Sequence, residues 1–550
     1  MSTPAGLITL ADIARIAEVK AAAVSNWRRR HRDTFPSPER HNGWELFPAD
    51  QVAAWLDRRK ISADDLKEGE PSGTTYGMRF RKNLNMPGIE PRAVVSMLWQ
   101  HAAKHRRFTD STTYANLILG LLYLRQKYPT RWQELVADDG SWLRVLAEDT
   151  TAVENPALTQ LARALSALFS ETDGQGRLAE IIRLLDSTLP PPGRGDSGPE
   201  LALVGDVFDQ LLESFADAEG KRAVVFTPPS MVRVLVEMVS PKPGESVFDP
   251  YCESGGFLID AARYVRERVD SRGPVSLIGQ PPEERSRSLA TMNLALHGLT
   301  ADLGVRPGLP LADEKQQRQF DVVLANPPFN LSGWGQGNPR DPRWRYGLPP
   351  EDNANFAWLQ YVVWSLSSRG RAAVIMPNVA SLSHRDRKIR AAMTDDGVVE
   401  AVIAFPRQLF AATQVQVNVW LLRHGGGGTA DRILFIDARA LGRKVGRSRR
   451  ELPPAEISRI VAKLLQWRER GDKGQFEDEP GFAASVPVGA VRDQDYVLLP
   501  GRYVGATDPF VVGLAEVDEL RQRLNWLHIR ADEADAAVDE QLDRLDSWIR

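Results

Sequence analysis

The segment Asn326-Pro327-Pro328-Phe329 follows an apolar run, Phe320-Asp321-Val322-Val323-Leu324-Ala325. Two consecutive prolines remove two backbone donors and stiffen the turn, which leaves a fixed row of acceptors. Such a row suits an exocyclic amine: the Asn326 side-chain oxygen and the Pro327 carbonyl would hold its two hydrogens, while the Phe329 ring stacks on a flat base. A second segment, Phe248-Asp249-Pro250-Tyr251-Cys252-Glu253-Ser254-Gly255-Gly256-Phe257-Leu258, puts an acid at a strand end and a Gly pair before a helix. The glycines allow close backbone approach of a nucleotide-like ligand, although a purely structural strand-to-helix turn has the same composition. The spacing does not match G-x-G-x-x-G, and no G-x-x-x-x-G-K-[ST] occurs, so neither a dinucleotide fingerprint nor a P-loop is supported.

Directly after the proline turn, Leu331 to Tyr346 reads Leu-Ser-Gly-Trp-Gly-Gln-Gly-Asn-Pro-Arg-Asp-Pro-Arg-Trp-Arg-Tyr. Gly and Pro argue against regular structure, and Arg340, Arg343, Arg345, Trp334 and Trp344 offer phosphate contacts and stacking surfaces. The expectation is a loop that closes over a base taken out of its duplex; a solvated loop is the plainer alternative. A second cationic stretch, Arg439 to Arg450, carries Arg443, Lys444, Arg447, Arg449 and Arg450. It would either track a nucleic-acid backbone or form a solvated turn.

These side chains need a scaffold. Glu245 to Asp249, Ser276 to Gly279, Asp321 to Ala325, Ala372 to Met376, Val398 to Ala404 and Val417 to Leu422 are short apolar runs separated by helix-length segments. The alternation predicts a mostly parallel sheet with helices on both faces and ligands beyond the carboxyl ends of its strands. Ahead of it, Met78 to Leu189 has helical character, bounded by polar Lys67 to Gly77 and by the Pro and Gly-rich break Pro190 to Pro199. Near the start, Leu10, Ile13, Ala14 and Ala17 form one apolar stripe, a turn falls near Glu18 and Val19, and a second helix carries Trp27, Arg28, Arg29, Arg30, His31 and Arg32. Turn formers between Phe35 and Phe47 then suggest a hairpin wing before a helix with Val52, Trp55 and Leu56. At the far end, Val517, Leu520, Leu524, Leu527, Ala531, Ala534 and Val538 follow the 3-4 spacing of a coiled coil. The expected units are a winged helix-turn-helix over 1–66, a helical domain over 77–190, an α/β domain over 200–505 and a coiled-coil helix over 510–550.

At roughly 150 residues per domain, the 550 residues imply three to four domains. Hydrophobic residues at 43% and charged residues at 26% exclude a disordered or fibrous chain. A single cysteine, Cys252, excludes an internal disulfide and a thiolate metal cluster and points to the reducing cytoplasm. No basic region with an apolar core opens the chain, and no run of about 18 apolar residues occurs, so neither secretion nor membrane spanning is expected. The 69 Lys and Arg against 72 Asp and Glu give a net −3, which by itself argues weakly against a polyanion partner. The distribution argues for one: the cationic second helix, the Arg and Trp loop and the 439–450 cluster are offset by a tail in which eleven acids outnumber five arginines from Ala506 on. That tail suits a protein partner.

Taken together, Asp249 to Leu258 and Asn326 to Phe329 resemble the S-adenosylmethionine-dependent DNA adenine-N6 methyltransferases, specifically the modification (M) subunits of type I restriction-modification systems. The resemblance runs from about Ala202 to Gly505, with further matching pieces at Phe226-Thr227-Pro228-Pro229, Met292 to Gly298, Asn353-Ala354-Asn355-Phe356, Ala372 to Asn378, Val399 to Pro406 and Pro500 to Gly505. The N-terminal unit resembles the winged helices of MerR-type and excisionase-type proteins. The resemblance implies a Rossmann-like methyltransferase domain, S-adenosylmethionine as cofactor, double-stranded DNA as substrate, a separate DNA-specificity subunit and a restriction subunit. It sets Thr227 and Pro228 at the methionine end of the cofactor, Asp249, Ser254, Gly255 and Gly256 at its amino-acid part, and Asn326, Pro327, Pro328 and Phe329 at a flipped adenine. Methyl transfer would be direct, leaving Cys252 as a packing residue.

Three positions depart from the family pattern. Glu253 stands where the family has Gly; Gln280 is followed by Pro281-Pro282, which displaces the ribose-holding acid to Glu283 and Glu284; and no acid occurs near Val305 to Gly308, Asp313 being the nearest downstream. Gln280 and Asp313 are expected cofactor contacts, and Arg28, Arg29, Arg30, Trp334, Arg343 and Arg345 expected DNA contacts. The departures motivate a second reading, a DNA-binding regulator on a degenerate scaffold with weak or no cofactor binding. A protein or RNA methyltransferase sharing Asn-Pro-Pro fits less well, because those enzymes more often carry Tyr at the Phe329 position.

Overall fold

The computed structural model describes residues 7–41, 44–62, 65–66, 73–83, 91, 94–99, 111–137, 155–170, 174–189, 199–219, 226–268, 273–312, 319–335, 338–410, 415–425, 431–445, 449–470, 476–505 and 530. Asp313, Arg447 and, apart from Arg530, the expected coiled coil at 510–550 lie outside the described residues.

The first unit comprises β1 (Leu7–Ile8), α1 (Leu10–Ala17), α2 (Ala21–Arg30), β2 (Glu39–His41), β3 (Trp44–Pro48), α3 (Ala49–Asp57) and α4 (Tyr76–Asn83). Thr9 caps α1: its hydroxyl accepts from the Asp12 amide at 3.1 Å, and the Asp12 carboxylate accepts from the Thr9 amide at 3.2 Å. The helix stops at Glu18 in the left-handed region, φ 53°, and the chain turns into α2. The strands pair antiparallel in the order β1-β3-β2. Ile13, Val24, Phe47, Val52, Leu56 and Phe80 are fully buried together. Phe80 lies on α4, so that helix belongs to this unit and the boundary expected at residue 77 is corrected. Arg81 pairs with Asp57, and the Asn83 amide donates to the Ile16 carbonyl at 2.8 Å.

The helical layer contains α5 (Ser111–Lys127), α6 (Pro129–Ala137), α7 (Pro156–Phe169), α8 (Gly174–Thr188) and α9 (Pro199–Glu219). Apolar side chains all round suit α5 to the centre: Leu117, Ile118, Leu119, Leu121, Leu122 and Leu124 are all buried. Gly120 lets α7 close in, since a Cβ there would lie 2.9 Å from the Cβ of Leu161. Val204, Val207, Phe208 and Leu211 of α9 join the same core, so the helical layer extends beyond the expected limit at 190. The Pro and Gly-rich break separates helices that share one core.

Then come α10 (Pro229–Val239), β4 (Ser246–Asp249), α11 (Gly256–Arg268), β5 (Ser276–Gly279), α12 (Glu284–Leu296), β6 (Phe320–Ala325), α13 (Asn355–Trp364), β7 (Leu366–Pro377), α14 (Arg387–Asp395), β8 (Val399–Ala404), β9 (Val417–Arg423), β10 (Arg432–Asp437), β11 (Arg443–Val445), β12 (Arg449–Glu451), α15 (Pro454–Arg470), β13 (Ala483–Pro487) and α16 (Val488–Asp493). Eight strands form one sheet in the order β13-β10-β8-β9-β7-β6-β4-β5. β9 runs antiparallel to both its neighbours and β13 to β10; the remaining pairs are parallel, giving a mixed sheet. All six apolar runs named from the sequence are strands of it, and β10 and β13 extend one edge.

The two-residue period of a strand splits the core. Val322 and Leu324 pack with α10, α11 and α15, whereas Val323 and Ala325 pack with α13 and α14. α12 serves two masters: Leu289, Met292 and Leu296 enter the helical core and Leu294 the sheet core. The helical layer is thereby fixed against the carboxyl-end region of β4 and β5. No helix among the described residues is long and apolar enough to cross a membrane.

Candidate active site

β4 and β6 pair in parallel, so their carboxyl ends are neighbours. Asp249 beyond the first, Asn326 beyond the second, Ser254, Gly255 and Gly256 leading into α11, and Thr227 ahead of α10 line one cavity of about 250 Å³. Gly255 has φ +77°, a backbone that L side chains rarely adopt, and this turn brings the start of α11 to the cavity.

Asn326 is 3% exposed. Its Nδ2 donates to Thr227 Oγ1 at 2.9 Å, and its Oδ1 has no partner among the described residues. A buried acceptor without a donor costs roughly 1–3 kcal/mol, which a ligand N–H would relieve. Asn293 of α12 is built the same way: Nδ2 donates to the Ser254 carbonyl at 3.0 Å, while Oδ1 is unpartnered in the cavity wall. Its sequence signal is an amide between the apolar Met292 and Leu294 of α12.

The same wall is rich in acids. Asp249 accepts from the Tyr251 amide at 3.0 Å, and burial pushes its carboxyl up to about 8. Glu253 accepts from the Ser286 hydroxyl at 2.5 Å and is raised by burial to about 7. Asp209 and Asp260 also face the cavity, as do Arg233 and Arg263, which pair with Glu237 at 3.1 Å and Asp260 at 3.0 Å. A cationic ligand group fits such a wall. Cys252 lies fully buried under the turn: a Cβ on Gly279 would fall 2.5 Å from its Sγ, so the thiol fills the space beside that glycine.

Not every expected residue enters the lining. Pro228 precedes α10 and its carbonyl accepts from Met231 and Val232 at 2.9 and 3.0 Å. Gln280 donates through Nε2 to the carbonyls of Pro281, Arg306 and Gly308 at 3.3, 3.2 and 3.2 Å, bracing the 306–308 loop outside the cavity. Pro327 is buried, and Pro328 and Phe329 are half-buried just beyond Asn326. Behind them Asn330 adopts φ 54°; its amide donates to Asn355 Oδ1 at 3.0 Å, and its side-chain oxygen accepts from Asn355 at 2.9 Å and Asn353 at 3.2 Å. The Asn353-Ala354-Asn355 piece therefore clamps the turn that follows Asn326 from behind. Glu451, Leu452, Pro454 and Ile457 cover the cavity from the β12 to α15 side, and Arg449 pairs with Glu213 of α9. Sequence reasoning assigns none of these to the site, because the chain returns to it some 125 residues after Asn326.

Two expected DNA contacts are corrected. Trp334 and Arg343 are each only 3% exposed. The Trp334 indole donates to the Pro350 carbonyl at 3.0 Å and meets Trp344 edge-on at 5.4 Å. Arg343 forks onto Asp341, with Nη2 2.6 Å from Oδ2, and donates to the carbonyls of Pro310 and Leu311 at 3.2 and 3.0 Å. Both are satisfied inward, and Pro342–Trp344 forms a 3-10 turn within what reads as an irregular loop. Arg340 and Arg345 stay at the surface, the latter 3.3 Å from Asp396. On α2, Arg28 pairs with Glu45 at 2.9 Å, while Arg29 and Arg30 are exposed. The 439–450 cluster is a β11–β12 hairpin with its own acids: Arg439 on Asp437 and Arg443 on Glu451 at 3.6 Å.

Residues 200–509 match the N-6 DNA Methylase family. The type I restriction enzyme HindI methylase subunit of Haemophilus influenzae is 35% identical over 311 residues, 56% of this chain and 69% of that protein. The MjaIX methylase subunit of Methanocaldococcus jannaschii is 32% identical over 336 residues, 58% of this chain and 60% of that one. Among solved structures, the type I restriction-modification methyltransferase subunit from Streptococcus thermophilus shares the fold with a TM-score of 0.59 at 22% identity, covering 76% of this chain and all of that one.

Proposed function

This chain belongs to the N-6 DNA methylase family, and from that premise we propose that it is the modification subunit of a type I restriction-modification system, methylating adenine N6 in double-stranded DNA. The unpartnered Asn326 Oδ1, anchored through Thr227 in the wall of an acid-lined cavity, carries the reading. A regulator without cofactor is not favoured, since it leaves two buried amide oxygens and an acidic wall without a ligand.

S-adenosylmethionine, when bound, would supply a sulfonium methyl group: as the bond from N6 to the methyl forms, the sulfur–methyl bond would break to leave a neutral thioether, and N6 would give up one proton to solvent. Asp249, Glu253 and the Ser254 to Gly256 turn would hold the cofactor's zwitterionic amino-acid end, the buried carboxyl groups of the wall facing its ammonium group. Asn326 Oδ1 and the Pro327 carbonyl accept the two amine hydrogens, which turns the N6 lone pair away from the ring and toward the methyl donor. Phe329 stacks on the extruded base. Labelled methyl transfer to duplex DNA, with a specificity subunit supplied, should occur with the native chain and vanish in Asn326→Ala while cofactor binding persists. Activity retained in that variant would remove Asn326 from its role.

The same reading gives roles to the flanking units. The N-terminal unit, α1 to α4, serves as a winged helix-turn-helix whose exposed Arg29 and Arg30 approach DNA phosphates, and Arg345 borders the DNA beside the active site. The tail at 510–550 docks the specificity subunit, and a restriction subunit completes the system. A DNA substrate inside the cell supports the cytoplasm as its compartment.

A further inference from the structure

Beyond β8 and β10, Arg407, Gln408, Gln416, Arg439 and Arg450 surround a second concavity of about 490 Å³. We propose that this cradle binds a phosphodiester of the DNA strand that carries the flipped base. The inference rests on the DNA-methylating reading.

The cradle is held in place at each corner. Gln408 sits at φ +68° and its carbonyl accepts from the Arg450 amide at 2.8 Å, which ties the β8 exit to β12. The Gln416 carbonyl accepts from the Asn378 amide at 2.8 Å and so ties the entry to β9 to the end of β7. Arg439 is oriented by Asp437, with Nε 2.8 Å from Oδ1 and 3.0 Å from Oδ2 and Nη2 2.5 Å from Oδ2, yet its side chain remains 51% exposed. Gly501 makes room for it, because a Cβ there would lie 2.4 Å from Nη2. Arg450 is fixed by the carbonyls of Leu441 and Gly442 at 3.2 and 3.0 Å, and no carboxylate among the described residues forms an ion pair with it. Arg407 is exposed, and no carboxylate among the described residues pairs with it. Among the described residues, Asp437 is thus the one carboxylate in an ion pair with these three guanidinium groups. Oriented guanidinium donors beside side-chain amides match a phosphate oxygen cluster.

Position supports the choice of ligand. β8 and β10 run parallel to β6, and β9 antiparallel, so the exits of β8 and β10 and the entry to β9 share the sheet edge that carries Asn326. β8 and β10 are three and four places from β6, which at about 4.8 Å per place puts the cradle roughly 14–19 Å along that edge. With one phosphate per strand for about every 3.4 Å of duplex axis, a duplex lying along this edge brings a phosphate some four to six nucleotides from the extruded base to the cradle.

The test is the binding of the full-length chain to random-sequence duplex DNA across a salt series, comparing wild type with Arg407→Ala and Arg407→Lys. Losing one phosphate contact should lower the salt slope by about 0.9 and weaken binding roughly five- to tenfold near 0.1 M salt. Lys should recover most of the loss, and calorimetric affinity for S-adenosylmethionine and the melting temperature should stay at wild-type values. An unchanged slope overturns the proposal, as does a parallel loss of cofactor binding or of melting temperature. An unchanged slope with weakened capture of the specificity subunit would reassign the cradle to a protein. Wild type that binds DNA and transfers methyl while Arg407→Ala behaves identically defeats the cradle alone; wild type that does neither defeats the methyltransferase reading as well.

Discussion

Thr227 anchors the Asn326 amide at its nitrogen and leaves its oxygen open to the cavity. Thr227→Val keeps the shape and removes the anchor, so single-turnover methyl transfer should slow by about tenfold, the equivalent of one ordinary hydrogen bond, and Thr227→Ser should restore it. The acids beside it set a pH dependence. Asp249 and Glu253 are raised to about 8 and about 7 by burial, so in the empty protein both favour the protonated form. Raised values stabilise the fold fully below the ordinary carboxylate range, and that contribution is lost as pH rises through 7 and 8. A bound cation reverses the preference. Cofactor binding should therefore tighten from pH 6 to pH 8 and release protons, which calorimetry in buffers of different ionisation heat counts directly; binding with no proton release would contradict the assignment.

Strands ending in chemistry were the readable part of the chain. Asp249 and Asn326 close apolar runs, and a parallel sheet brings the ends of neighbouring runs together, so the two halves of the cavity follow from local pattern. Trp334 and Arg343 show where residue type misleads: Arg and Trp suggest nucleic acid, yet Asp341 two residues before Arg343 gives that guanidinium a buried partner. Asp341→Ala would strand a buried charge and should cost about 3–5 kcal/mol, seen as a large fall in the denaturation midpoint. Arg345→Ala, at the surface, should leave stability nearly unchanged and weaken DNA binding. β10, with Ile433-Leu434-Phe435-Ile436, is not among the runs named from the sequence, and neither is the β12 to α15 cover, whose place over Asp249 and Asn326 depends on long-range topology that no local spacing encodes.

At the scale of the whole molecule, the helical layer and the sheet meet through α12, which gives Leu289, Met292 and Leu296 to one core and Asn293 to the cavity wall. The acidic stretch beyond Ala506 balances cationic surfaces elsewhere, and the overall −3 conceals this division. If that stretch docks a specificity subunit, deletion of residues 510–550 should abolish co-purification of the subunit while leaving S-adenosylmethionine affinity intact; unchanged capture would refute the docking role. The central claim concerns one atom, N6 of adenine. Duplex DNA incubated with the chain, a specificity subunit and labelled cofactor, then digested to nucleosides and resolved by mass spectrometry, should carry the label as N6-methyladenine and show none with Asn326→Ala. Label on cytosine, label on protein or RNA instead of DNA, or no label from the native chain would contradict the account.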